Sequence, residues 1–240
     1  MKSAFTAAAL AVSLSTAAVA QDPEIPFDEF YLDNGLRVIV HEDRKAPIVA
    51  ITIWYHVGSK NETPGKTGFA HLFEHLMFRG TPTNPPARFR QIMTRAGARD
   101  NASTGDDTTR YYSTFAKEDL ETVLGLYADM FQHLSYSEAD FKTEARAILG
   151  EYNKNSAEPT QKLEEVQRDR FYQAHTYKHT VMGFIRDIEN MPNEYAYSTL
   201  FFERWYRPQY TTVIVAGDVT PAEVLPMIEE HWGGWKTSAA

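Results

Sequence analysis

Two histidines and a glutamate lie close together in the stretch "GKTGFAHLFEHLMFRGT", residues 65–81. His71 and His75 are four residues apart, so on a helix their imidazole rings would stand on the same side. Two imidazole nitrogens in that arrangement can bind one Zn²⁺ ion. Glu74 lies beside the second histidine, where it can accept a proton from water without being a ligand. The stretch therefore predicts a hydrolytic metal site.

The apolar residues of this stretch are spaced as in a helix that buries one face. They follow the i, i+3, i+4, i+7, i+8 pattern and are Phe69, Leu72, Phe73, Leu76 and Met77. The same pattern is typical of a core helix with a polar edge, so the motif alone leaves that alternative open. The order H-x-x-E-H inverts the better-known zinc motif H-E-x-x-H. A helix that crosses the site in the opposite direction keeps the same geometry and the same chemistry.

A catalytic zinc ion needs a third protein ligand and a position open to water. The chain has no cysteine, so this ligand must be His, Asp or Glu. Residues 137–155 predict a helix, with Ser137 as its N-cap and Asp140 three residues later. Glu144 and Glu151 lie seven residues apart on this helix, near one face. Either can complete the site while the other braces the histidines, and a solvated glutamate is the alternative for each.

Strands and helices must bring these segments together. Two β-prone runs flank Asn34-Gly35, which predicts a hairpin, and residues 48–59 and 211–219 predict buried strands. An apolar stripe over residues 120–134 predicts a helix, and further helices are expected near residues 161–172 and 194–206. Strands, then helices, then a strand that returns to the sheet indicate an α+β fold.

The segment "DNASTGDDTTRYY" predicts a strand at the edge of the sheet. An edge strand has free backbone groups, with which an extended peptide can pair as an added strand. A plain surface turn between strands is the alternative. The candidate substrate-binding residues are Asn101, Ala102, Ser103 and Thr104.

The N-terminus has the features of a secretory signal. Lys2 supplies the positive charge, a short apolar stretch follows, and "AVA" at residues 18–20 offers a cleavage site. The stretch is too short and alanine-rich for a membrane span. We therefore expect a signal peptide over residues 1–20, a leader over residues 21–27, and export to the periplasm or the medium. A cytosolic protein with a disordered tail is the alternative.

The net charge of −8 argues against nucleic acid as a partner. Removal of residues 1–20 takes away Lys2 alone and brings the net charge to −9. An acidic chain without a basic stripe lacks the electrostatic attraction that nucleic-acid binding requires.

The segment "GSKNETPGKTGFAHLFEHLMFRGT" closely resembles the pitrilysin/insulinase family of zinc metallopeptidases, which includes the mitochondrial processing peptidase. The resemblance extends from "LDNGLRVIV" to "WYRPQYTTVIVAGDV" and includes "NASTGDDTTRYY" and "HTYKHTVMGFIRDI". It implies that residues 28–240 form an N-terminal metallopeptidase domain of the processing-peptidase type. It also implies a mixed, largely antiparallel sheet packed against helices.

The resemblance also assigns the ligands. In that family, a helix some 75 residues after the H-x-x-E-H motif carries a distal glutamate ligand, and Glu151 matches its position. The resemblance thus implies one Zn²⁺ per chain on His71, His75 and Glu151, with Glu74 as the general base. Glu144 then matches the glutamate that supports the histidines from outside the ligand set.

The implied activity is that of a zinc-dependent endopeptidase on extended peptides or small unfolded proteins, with a metal-activated water and no covalent intermediate. Members of the family build their cleft from two related halves. We therefore expect a second half, in the same full-length chain or in a partner subunit, and a domain that is incomplete at its C-terminal end.

Two other functions remain open. The chain can be a non-catalytic subunit or fragment that binds metal or peptide, or a zinc-independent module that binds peptides at its sheet edge. The complete set of His71, Glu74, His75 and Glu151 favours the peptidase, because a non-catalytic copy has no need of a base beside its metal.

Overall fold

The computed structural model of the chain describes residues 25–237. The predicted signal peptide lies outside the described residues, and so does most of the predicted leader. None of the helices within the described part is both long and apolar enough to cross a membrane.

Six strands form one mixed sheet in the order β1-β2-β6-β3-β5-β4. Only β2 and β6 are parallel, and the other four neighbouring pairs are antiparallel. The predicted mixed, largely antiparallel sheet is therefore confirmed. The strands are β1 (Asp28–Tyr31), β2 (Arg37–Glu42), β3 (Ile48–Tyr55), β4 (Arg99–Thr104), β5 (Thr109–Ala116) and β6 (Thr211–Gly217).

Eight helices accompany the sheet in the described part of the chain, and short 3₁₀ turns connect several of them. They are α1 (Phe69–Leu76), α2 (Pro86–Arg95), α3 (Leu120–His133), α4 (Glu138–Asn155), α5 (Pro159–Phe171), α6 (Ile185–Asn190), α7 (Tyr195–Trp205) and α8 (Pro221–Trp232). The predicted α+β fold, with helices packed against a sheet, is thus confirmed.

The sheet buries one of its faces under the helices. Successive side chains of a strand point to opposite faces, and in β3 the buried ones are Val49, Ile51, Ile53 and Tyr55. The predicted strand over residues 48–59 was too long, because β3 ends at Tyr55 and the chain continues into a loop that contains a 3₁₀ turn. It is also buried on one face only, since Ile48 is exposed.

Several local features that the sequence predicts are present in the structure. The hairpin turns at Asn34-Gly35, where Gly35 has φ +84°, and it pairs β1 with β2. Helix α4 begins with the predicted capping box, in which the side chains of Ser137 and Asp140 each accept a hydrogen bond from the other's backbone N–H. Strand β6 lies between β2 and β3, so the last strand is central to the sheet.

Candidate metal centre

Helix α1 carries both histidines of the motif on one side. Its other side is buried in the core through the side chains of Phe69, Leu72, Phe73 and Leu76. This packing fixes the rotation of the helix and leaves His71 and His75 facing α4, with their rings 5.0 Å apart and nearly perpendicular. The predicted helix is thus confirmed. It is a core helix with a polar edge, and that edge carries the histidine pair, so the two alternatives are compatible.

Glu151 of α4 approaches both histidines. Its Oε2 atom lies 3.7 Å from Nε2 of His71 and 3.7 Å from Nε2 of His75. Two ligands of a tetrahedral zinc ion at about 2.0–2.1 Å are themselves about 3.3 Å apart. Both distances from Glu151 exceed this value by about 0.4 Å, and all three residues offer ligand atoms within 4.8 Å of one another, so the donor set fits this ion. No other group of three such ligands lies within 4.8 Å among residues 25–237.

The protonation of His71 suits a metal ligand. Its side chain is almost fully buried, and burial lowers its pKa to about 4. The imidazole is therefore neutral near pH 7, so a metal ion does not have to displace a proton from it.

Glu144 contacts His75 on the side of the ring that faces away from Glu151. Glu144 Oε2 lies 3.4 Å from Nδ1 of His75, which leaves Nε2 free for a metal. This contact raises the pKa of His75 and lowers that of Glu144. Of the two glutamates that the spacing left open, only Glu151 therefore reaches both histidines, while Glu144 holds one ring in place.

Arg79 is part of the same group, although no sequence pattern indicates it. Its Nε atom donates to Oε1 of Glu144 at 2.6 Å, and its guanidinium makes a second contact with the same oxygen. Arg79 thus joins the turn after α1 to α4 and orients Glu144 towards His75. An arginine four residues after a histidine is too common in sequences to have indicated this role.

Glu74 stands beside the ligand group and contacts strand β4. The hydroxyl of Thr104 donates to Oε2 of Glu74 at 2.5 Å. Burial raises the pKa of Glu74, and the hydrogen bond from Thr104 opposes that rise. Thr104, a candidate substrate-binding residue, therefore also orients the candidate base.

Strand β4 lies at the edge of the sheet, as predicted. Its outer backbone groups have no strand partner among residues 25–237. Asn101 is exposed, whereas the side chain of Ala102 is buried and the hydroxyl of Ser103 is buried without a hydrogen-bond partner in the same part of the chain. The edge therefore offers mainly its backbone to a ligand.

A buried glutamate holds the start of α1. The helix begins after Gly68, which has φ +93° and offers no capping side chain. The carboxyl group of Glu62 replaces the missing cap, since its oxygens accept hydrogen bonds from the backbone N–H groups of Gly68 at 2.8 Å and Ala70 at 2.7 Å. Burial raises the pKa of Glu62 to about 8. Glu62 lies six residues before Gly68, so it does not fit the sequence pattern of a capping residue and could not be recognised from the sequence.

The segment "HTYKHTVMGFIRDI" packs against the same helix start. Asp187 accepts a hydrogen bond from the Thr67 hydroxyl at 2.7 Å, and that hydroxyl accepts one from the backbone N–H of Phe184 at 2.8 Å. A Cβ atom at Gly183 would lie 2.6 Å from the backbone of Thr67, so only glycine fits there. This segment therefore fixes the position from which α1 carries His71 into the site.

Comparison with known proteins identifies the protein family. Residues 37–184, more than half of the chain, match the family model described as insulinase, peptidase family M16. The chain belongs to this family. Residues 199–240 match a second model, described as the peptidase M16 inactive domain.

Relatives within the M16 family include zinc proteases. The zinc protease PqqE of Helicobacter pylori is 31% identical over 95% of this chain and 51% of its own length. The crystal structure of a protease from Helicobacter pylori matches with a TM-score of 0.86 at 30% identity, covering 90% of this chain and 52% of that one. The periplasmic protease PqqL from Escherichia coli shares the fold, with a TM-score of 0.79 at 24% identity over 89% of this chain and 24% of that one. The chain thus spans about half the length of the curated relative PqqE.

Proposed function

We propose that this chain provides the metal centre of a zinc-dependent endopeptidase that cleaves extended peptides or small unfolded proteins. The observation that carries the proposal is the approach of Glu151 to both histidines of α1, with Glu74 beside them and bonded to Thr104. Membership of the M16 family and the zinc proteases among the relatives support it.

His71, His75 and Glu151 would hold one Zn²⁺, and Glu144 would keep the ring of His75 oriented. The chemistry that Zn²⁺ supplies when bound is Lewis acidity, which polarises a peptide carbonyl and makes a water molecule more acidic. Glu74 takes the proton from the attacking water and passes it to the leaving amine. Burial raises the pKa of Glu74 above its ordinary value, which makes the carboxylate a stronger base towards the attacking water.

The free edge of β4 supplies the substrate-binding surface. A peptide that adds to this edge as a strand must be extended, because only then do its backbone groups meet those of β4. Residues 101–104 are therefore proposed to bind the peptide mainly through their backbone, with the scissile bond near the Thr104 end, where Glu74 lies. A folded protein would have to unfold locally to reach this edge.

A second, related half is proposed to close the site, in the same full-length chain or in a partner subunit. The length of the PqqE relative, of which this chain covers 51%, supports that arrangement. Export is also proposed, on the signal-like N-terminus and on the periplasmic protease PqqL, whose fold is similar.

The proposed function is tested with the variant Glu74→Gln and, as a control, Glu121→Gln on the exposed side of α3. Bound zinc is measured by atomic emission, and cleavage is measured on an unfolded, fluorescently labelled polypeptide. We expect one zinc per chain in all three proteins, with cleavage lost only in Glu74→Gln. A wild-type protein without stoichiometric zinc would refute the proposed centre.

The alternative function, a subunit or fragment that binds metal or peptide without cleaving, is supported by the chain's coverage of only half of its relative. The same experiment separates the two functions when the remaining half of the full-length protein is added. Cleavage restored by that half supports the peptidase. Zinc binding without cleavage, even with that half present, supports the non-catalytic function.

A further inference from the structure

A local basic surface follows helix α1 in the sequence of this acidic chain. Residues 75–99 contain five arginines and no Asp or Glu, whereas the rest of the chain has 19 basic and 32 acidic residues. One of the five, Arg79, is bonded to Glu144. The other four are Arg88, Arg90, Arg95 and Arg99. All four are exposed, and none forms an ion pair with any residue from 25 to 237.

One of these arginines begins the edge strand, and the other three lie on the helix that precedes it. Helix α2 leads through residues 96–98 directly into β4, which begins at Arg99 and ends at Thr104. At about 3.4 Å per residue, Arg99 lies about 17 Å along the edge from Thr104, the residue bonded to Glu74. Arg99 is therefore at the far end of the strand to which the substrate is proposed to pair, and α2 ends four residues before it.

Two of the arginines also line a groove on α2. Arg88 and Arg95 are seven residues apart, on one side of the helix, and they border an open groove of about 800 Å³. Gln91 and Ile92, which lie between the two arginines in the sequence, also line it. The groove thus offers two guanidinium groups and some apolar surface, a combination that suits a short acidic polypeptide segment.

We propose that Arg88, Arg95 and Arg99 bind an acidic segment of the substrate, about five or more residues from the bond that is cleaved. This inference rests on the proposed function, since it places the scissile bond at the Thr104 end of β4. An extended peptide that passes Arg99 is close to the end of α2, because only residues 96–98 separate the helix from the strand. Arginine binds carboxylates with its planar, forked set of N–H donors, so Asp and Glu are the preferred residues there.

The surroundings favour a polypeptide over a nucleic acid. The basic surface is continuous with a strand edge, whose N–H and C=O groups pair with a peptide backbone. The rest of the chain is strongly acidic and would repel a long polyanion. A short acidic segment attached to an extended peptide avoids that repulsion.

The test compares unstructured peptides of about sixteen residues, long enough to cover both β4 and the groove. Each carries three consecutive Glu, Gln or Lys residues at one end or the other. The double variant Arg88→Gln/Arg95→Gln is compared with wild type and with the control Arg44→Gln/Arg204→Gln. The control removes the same charge from exposed positions elsewhere in the fold.

The full-length protein, loaded with zinc, should cleave the Glu peptide with about tenfold higher kcat/KM than the Gln peptide for one of the two placements. The difference should lie in KM and should shrink as salt is added, because exposed charges are screened. In Arg88→Gln/Arg95→Gln the preference should fall below about twofold, with the Gln peptide cleaved as by wild type. The control variant should keep the full preference.

Binding of the same peptides to zinc-loaded Glu74→Gln, measured by fluorescence anisotropy, separates this inference from the proposed function. Cleavage without any preference for Glu, or a preference that survives in Arg88→Gln/Arg95→Gln, overturns the acidic subsite and leaves the peptidase intact. Arginine-dependent binding of the Glu peptide without cleavage by wild type supports the subsite while the peptidase fails. An oligonucleotide that binds as tightly through the same arginines overturns the subsite in favour of a general polyanion surface.

Discussion

Thr104 and Glu74 are joined by a hydrogen bond of 2.5 Å from the threonine hydroxyl to the glutamate Oε2. Thr104 is the last residue of the edge strand β4, and Glu74 lies on the helix that carries both histidines. The bond therefore connects the strand proposed to hold the substrate directly to the proposed base. It also sets the orientation of the carboxylate before any substrate binds.

Replacement of Thr104 by Val keeps the branched shape and removes the donor. We expect kcat to fall by about 10- to 100-fold with zinc content unchanged, because a misplaced base loses part of its catalytic contribution. The hydrogen bond lowers the pKa of Glu74, so its loss should raise that pKa and move the acidic limb of the pH–rate profile to higher pH. Thr104→Ser, which keeps the hydroxyl, is the control. An unchanged kcat and acidic limb in Thr104→Val would show that the bond has no catalytic role.

Replacement of Arg79 by Gln removes the partner that orients Glu144 towards His75. We expect zinc affinity to fall by about 10- to 100-fold, the usual effect of losing a residue that braces a ligand. Arg79→Lys keeps the charge and should retain part of the affinity, and Arg204→Gln controls for the loss of an exposed arginine. Affinity is measured by competition with a chelator. If it stays at the wild-type value while Arg79→Gln remains folded, the contact is a simple surface ion pair.

Replacement of Glu62 by Ala leaves the N–H groups of Gly68 and Ala70 buried without acceptors. Each such group costs about 1–3 kcal/mol, so the free energy of unfolding should fall by at least this amount. His71 lies one residue beyond Ala70, so zinc affinity should fall as well. Urea denaturation and chelator competition measure the two effects. A stable variant with unchanged zinc affinity would mean that water replaces the carboxylate as the cap.

The same glutamate should make stability depend on pH. Burial raises the pKa of Glu62 to about 8 from 4.5, so between these values the folded state holds a proton that the unfolded chain has released. The contribution of Glu62 to stability is therefore complete below about pH 4.5 and is lost as the pH rises to 8. Glu62→Gln does not titrate at this position. From pH 5 to pH 8, the free energy of unfolding of wild type should therefore fall relative to that of Glu62→Gln. Urea denaturation of the metal-free proteins measures it, and a constant difference would place the pKa in the ordinary range.

Features with local signals were predictable from the sequence. The periodicity of α1, the capping box of α4 and the Asn34-Gly35 turn each depend on residues within about one or two turns of chain, and all three are confirmed. The edge position of β4 is confirmed as well. The choice of Glu151 over Glu144 came from the family resemblance, because seven-residue spacing places both on one helix face.

Features that depend on distant pairing were not predictable. The Glu62 cap, the contact of Arg79 with Glu144 and the bond of Thr104 to Glu74 join residues whose types are common and whose separations vary. The exposure of helix α5 could not be predicted either. Its presence was predicted, yet none of its residues is buried and Leu163 is exposed, because helical spacing does not reveal whether a surface exists to cover it.

The two glutamates of α4 can be separated by their effect on zinc-linked stability. A ligand that binds only the folded protein stabilises it by about 2.7 kcal/mol at 100 times its Kd, a rise of about 5–10 °C in Tm for a chain of this size. In Glu151→Gln this rise should disappear, because Nε2 of both histidines loses the third ligand. In Glu144→Gln the rise should persist but require about 10- to 100-fold more zinc, because only the support of His75 is lost.

Differential scanning calorimetry across a zinc titration measures both variants, with Glu138→Gln at the exposed start of the same helix as the control. The metal-free Tm of each variant shows how far the substitution itself changes the fold, so the zinc-dependent rise is read separately. A rise that survives in Glu151→Gln and disappears in Glu144→Gln would reverse the roles of the two glutamates. It would require α4 to rotate on zinc binding, because in this structure only Oε2 of Glu151 faces Nε2 of both histidines.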